Sequence, residues 1–128
     1  MIGKNNPLNI RSSKSRWLGE EGETRGFCNF KTLNYGVRVA IYLVCISYRL
    51  YGCKTYADII TRYAPPEEND TPAYIKYICR NMNVNAYDSP YNDEEKYIPQ
   101  LIHYMSCVEG NVVSKELCFE VYNKYFKQ

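Results

Sequence analysis

Residues 62–75 read Arg62-Tyr63-Ala64-Pro65-Pro66-Glu67-Glu68-Asn69-Asp70-Thr71-Pro72-Ala73-Tyr74-Ile75, and this stretch decides the fold class. Pro65 and Pro66 fix two φ angles and remove two N–H donors, so the helix before them must end near Tyr63 or Ala64. Thr71 ahead of Pro72 starts another: the hydroxyl can take an orphan N–H, and proline at the first helical position loses nothing by lacking its own. Glu67, Glu68 and Asp70 are therefore held between two helix ends. A charge run of this kind is usually a solvated loop. A loop held by two rigid elements is also where functional side chains concentrate.

Working outward, the spacing predicts helices on both sides. Thr55 caps Tyr56 to Tyr63, with Ile59 and Ile60 inward. Before it, Val37, Ala40, Ile41, Val44, Cys45 and Tyr48 recur at helical period in a long helix capped by Thr32 and stopped by Gly52. Gly36 inside that helix costs about 1 kcal/mol against Ala and so implies a close backbone approach. Downstream, Pro72 to Met82 turns Tyr74, Ile75, Ile78, Cys79 and Met82 inward. Asn92 or Asp93 caps a short turn through Glu94 and Glu95, and Pro99 separates it from a main helix, Pro99 to Glu109, ended by Gly110. Ser114 caps the last helix, to about Phe126. Near the start, 8–11, 17–18 and 27–30 read as short extended pieces, with Gly19 to Glu23 as a reverse turn. The expectation is a single, mainly α domain over residues 1–128 with five helices and a small β corner. Ile41, Val44, Cys45, Ile59, Ile60, Ile75, Ile78, Leu101 and Leu117 should share its core.

A chain of 128 residues is long enough for such a core without metals or disulfides. A net charge of +2 is too small to announce a nucleic-acid partner, although residues 1–40 carry +4 and the rest −2. The 14 Tyr stand where Leu and Phe are usual, which suits a wet groove for carbohydrate faces; a lineage bias in residue usage would look the same. None of the six cysteines forms a CxxC pair, so buried free thiols in a reducing compartment are expected. No apolar run reaches the ~18 residues of a membrane span, and no signal peptide is evident. Synthesis and retention in the cytoplasm follow, or release to a virion or cell wall without an N-terminal signal.

Several chemistries drop out. His103 has no second imidazole and no cysteine at zinc spacing, and phosphate-binding glycine loops and GxSxG are absent. No metal or cofactor is expected. Cys107 lies one helical turn from His103, but nucleophile and base normally come from different elements. Carboxylates remain: Glu20, Glu21 and Glu23 early, Glu67, Glu68 and Asp70 on the central loop, and Glu109. Glu109 is the oddest, since a negative charge at a helix C-terminus opposes the macrodipole, and Met105-Ser106-Cys107-Val108 before it is largely apolar. A proton donor for glycoside cleavage needs such a setting. An exposed Glu before a glycine is also common and costs little.

Asn5-Asn6-Pro7-Leu8-Asn9-Ile10-Arg11, Trp17-Leu18-Gly19, Gly26-Phe27-Cys28-Asn29-Phe30, Tyr35-Gly36-Val37-Arg38 and the Arg62–Ile75 stretch, in that order, resemble a phage and prophage family labelled virion structural protein. The layout is also similar to glucosaminidase and lytic transglycosylase domains of the lysozyme-like superfamily. There, an Asn-rich segment, a small extended corner, an aromatic-x-aromatic strand and a long helix follow the catalytic Glu. Four residues precede Asn5 in this sequence, so the resemblance implies a circular permutation in which the helix ending at Glu109 supplies the acid. It further implies a lysozyme-like fold acting on peptidoglycan glycan strands, with Glu109 or Glu68 catalytic and Trp17, Tyr35, Tyr74, Asn9 and Arg11 binding substrate. A non-catalytic module of the same fold, docking other virion or effector proteins through the acidic loop and basic N-terminal segment, is the alternative. In the enzyme, Glu109 should lie beside Asn5–Arg11, across a cleft from Trp17 or the Glu67–Asp70 loop.

Overall fold

Arg25 and Gly26 both have positive φ, 52° and 85°, as a two-residue hairpin turn demands. They join β1 (Glu20–Thr24) to β2 (Phe27–Phe30) in an antiparallel pair, in a computed structural model that describes residues 1–127. The stretch expected as a turn, Gly19 to Glu23, is therefore mostly strand. It carries no apolar alternation because β1 is an exposed outer strand, held by its backbone ladder with a register shift between Glu20 and Glu23. β2 alternates as a half-buried strand should, with Cys28 and Phe30 inward. The N-terminal segment joins its other edge: Cys28 N–H donates to Ile10 O (2.9 Å), and Phe30 N–H to Lys4 O (2.9 Å).

The long helix starts as α1 (Leu33–Tyr42), passes through π-helical Leu43–Ser47 and ends in a single turn, α2 (Tyr48–Leu50). Gly52, at φ 91°, stops it. Thr32 occupies the cap position but its hydroxyl makes no cap bond. Gly36 explains itself: a Cβ there would stand 1.8 Å from the carbonyl oxygen of Asn5. α3 (Tyr56–Tyr63) opens with a reciprocal capping box between Thr55 and Asp58.

α4 (Thr71–Met82) is capped by Asp70, whose carboxylate accepts from Ala73 N–H at 3.2 Å, rather than by Thr71. Thr71 is buried, and its hydroxyl donates to Ala64 O at 2.5 Å, tying the two ends of the central turn together. α5 (Glu94–Glu109) runs straight through Pro99. The break expected there does not occur. Proline removes one early hydrogen bond, and the burial of Ile98, Pro99, Leu101 and Ile102 outweighs it. α6 (Lys115–Tyr125) follows Ser114, which accepts from Leu117 N–H.

One hydrophobic cluster unites these elements. Ile41, Val44, Cys45, Ile59, Ile60, Ile78 and Leu101 are buried in it as expected, but Ile75 and Leu117 are only half-buried. On α4 and α6 the inward stripe is turned toward Tyr74, Ile78 and Met82, and toward Cys118, Val121 and Tyr122. All six cysteines are free; Cys28, Cys45 and Cys118 are buried, whereas Cys53, Cys79 and Cys107 are partly exposed. No helix among the described residues is long and apolar enough to cross a membrane.

Candidate functional site

Glu109 is the last residue of α5. Gly110, in the left-handed region at φ 76°, turns the chain there, and Asn111 donates from its side chain to Pro7 O at 3.2 Å. That bond brings the helix end against the N-terminal segment. Asn6, fully buried, shapes the segment: its amide donates to Ile10 O (2.9 Å) and Cys28 O (3.0 Å) and accepts from Ile10 N–H (2.8 Å). Asn9 sits on the resulting tight bend at φ 51°.

The Glu109 carboxylate, half-buried, is held from two sides. Asn9 Nδ2 donates to Oε1 at 3.4 Å, and the Tyr74 hydroxyl of α4 donates to Oε2 at 3.1 Å. Behind them the Tyr63 hydroxyl donates to Leu8 O at 2.6 Å, and its ring meets Tyr74 edge-on at 6.2 Å. Burial pushes both phenols well above the usual tyrosine range; Glu109 adds to this at Tyr63, and Tyr63 followed by Glu109 adds to it at Tyr74. Both therefore keep their protons. The single Tyr74 proton has two acceptors in reach, Glu109 Oε2 at 3.1 Å and the more distant Met105 O at 3.4 Å.

Two cavities meet at Glu109 and Asn69. The larger, about 550 Å³, is walled by Tyr74, Tyr77, Asp70, Cys107 and Val108. The other, about 380 Å³, is walled by Asn9, Arg11, Phe27, Tyr63 and Glu68. The guanidinium of Arg11 lies 5.0 Å over the Phe27 ring. Asp70 is engaged as a helix cap, which leaves Glu68 as the second carboxylate facing the smaller cavity. Asn9 Oδ1 is buried with no partner among the described residues.

The chain is similar to a phage protein. Protein P5 of Pseudoalteromonas phage PM2 is 34% identical to it over 98 residues, covering 73% of this chain and 61% of P5. The chain thus spans less than two thirds of P5's length. No family model matches it. P5 agrees with the phage part of the resemblance seen in the sequence motifs.

The fold brings Glu109, Asn9, Arg11, Glu68 and Tyr74 together around the paired cavities. Trp17 and Tyr35 are not brought with them. Trp17 meets Tyr42 of α1 edge-on at 5.3 Å, and the Tyr35 ring is covered by Gly19 so closely that a Cβ there would lie 2.2 Å away. Both aromatics pin the hairpin region to α1. Asn6 and Tyr63 support the site and were missed in the sequence, where one read as a loop residue and the other as a helix end. Adjacent asparagines before a proline were the one available signal, because Asn tolerates left-handed bends.

Proposed function

We propose that the protein cleaves glycan strands of peptidoglycan, with Glu109 as the proton donor to the glycosidic oxygen. What supports this reading is the Glu109 carboxylate itself, held by Asn9 and Tyr74 where two cavities meet. A polysaccharide laid across that junction has a sugar on each side and its bridging oxygen at the acid. Asn9 and Tyr74 orient the carboxyl group before substrate arrives. Arg11, on the wall of the smaller cavity, is placed for the carboxylate of an acidic sugar substituent. Glu68, which lines the smaller cavity with Glu109, is the carboxylate available to activate water.

The test is clearance of purified cell walls followed by mass analysis of the released fragments. Glu109→Gln should abolish clearance in a protein whose melting is unchanged. Glu68→Gln should slow it and leave the fragments with ordinary reducing ends. Full activity in Glu68→Gln, with fragments closed by an internal anhydro ring, identifies attack by the substrate's own hydroxyl in place of water. Clearance that survives Glu109→Gln refutes the assignment of the acid. No clearance by the unaltered protein favours the docking module.

A further inference from the structure

The wall of the larger cavity holds a second reactive arrangement. His103 Nδ1 lies 2.6 Å from Val113 O, and His103 Nε2 lies 3.7 Å from Cys107 Sγ. A carbonyl accepts only, so Nδ1 carries the proton and Nε2 of the neutral ring is the acceptor, aimed at the thiol. The ring cannot easily turn away. Val113 is itself fixed, its N–H donating to Ser106 Oγ at 3.1 Å, and Tyr104 meets the imidazole edge-on at 4.8 Å. Cys107 thus has a base beside its sulfur and lines an open cavity of about 550 Å³. The remaining five thiols lack this pairing, since the sequence has one histidine: Cys28, Cys45 and Cys118 are buried, the Cys53 thiol is directed to Asp58 O at 3.7 Å, and Cys79 is partly exposed.

We propose that Cys107 is a base-assisted thiol that captures small disulfides entering the cavity beside Glu109. The thiol proton passes to His103 Nε2 and the thiolate attacks one sulfur of the incoming disulfide. A Cys107–sulfur bond forms as the disulfide bond breaks. The departing thiolate recovers the proton from the imidazolium, so one disulfide and one thiol yield a mixed disulfide and a free thiol. The adduct fills the cavity that Tyr74 and Tyr77 wall.

The experiment treats the folded protein with less than one equivalent of dithiobis-nitrobenzoate and maps the adduct by proteolysis and mass spectrometry. Cys53 and Cys79, also partly exposed, serve as internal references. Cys107 should be captured first and faster than either, because its thiol proton has an acceptor in His103 Nε2. Cys107→Ser should remove the fast phase. His103→Asn keeps a side-chain N–H for Val113 O but nothing that reaches the sulfur, and should slow capture at Cys107 to the reference rate. Capture that begins at Cys53 or Cys79 overturns the proposal. So does a fast phase untouched by His103→Asn in a protein that still melts cooperatively. Capture that begins at Cys53 or Cys79 in the unaltered protein overturns the proposal even where that variant fails to fold, and neither readout depends on any cell-wall activity.

Discussion

Replacing Gly36 with Ala tests how the N-terminal segment is seated, and it sets two effects of opposite sign against each other. By helix propensity alone the change should stabilise α1 by about 1 kcal/mol. The built Cβ, however, stands 1.8 Å from Asn5 O and 3.1 Å from Pro7 Cδ. A carbon and a carbonyl oxygen approach no closer than about 3.3 Å, so the segment must retreat by about 1.5 Å. It is not free to do so: Lys4 N–H donates to Asn29 Oδ1 at 2.7 Å and Asn5 Nδ2 to Phe30 O at 3.0 Å. Overpacking of this kind costs about 1–3 kcal/mol, and each strained or lost hydrogen bond about 1 more. Against the propensity gain, the net expectation is a loss of about 2–4 kcal/mol. For a domain of this size that is a melting temperature lower by about 6–15 °C, read by circular dichroism. A melting temperature equal to or above that of the unaltered protein would refute the close approach and the reasoning built on it. Asn9 follows on the same segment, so cell-wall clearance should fall even below the unfolding temperature.

Asn6→Ala removes three buried hydrogen bonds and orphans the Ile10 N–H; it should cost about 3–5 kcal/mol in denaturant unfolding, and a loss under 1 kcal/mol would contradict the central place of Asn6. Tyr74→Phe keeps the ring and removes one donor to Glu109, so stability should change by about 1 kcal/mol or less while clearance drops about tenfold or more. Burial raises the Cys45 and Cys118 thiols from 9.0 to about 12. The unfolded chain loses those protons first, so their contribution is full below pH 9 and is lost as pH climbs toward 12. A denaturant midpoint that stays level across that range would contradict their burial.

The sequence by itself determined the elements whose signals are local. Pro65 and Pro66 end α3 at Tyr63, Thr55 caps it, Gly52 and Gly110 stop their helices, and the 3.6-residue period marks most of the core. Each acts through its own backbone angles or through neighbours within four residues, so the chain's own order suffices to read it. Tertiary structure decided the rest. Thr71 read as the cap of α4; Asp70 takes that place, because Ala64 O, across the turn, takes the Thr71 hydroxyl. Pro99 lies inside α5 because burial among distant side chains outweighs one missing bond. Glu109 was visible only as an oddity at a helix end. Its meaning comes from Asn9, one hundred residues away, and Tyr74, thirty-five away. Trp17 and Tyr35 had the same composition signal as Tyr74 and went elsewhere. Residue type states what a side chain can donate or accept, but only the packing of remote segments determines which partner is within reach.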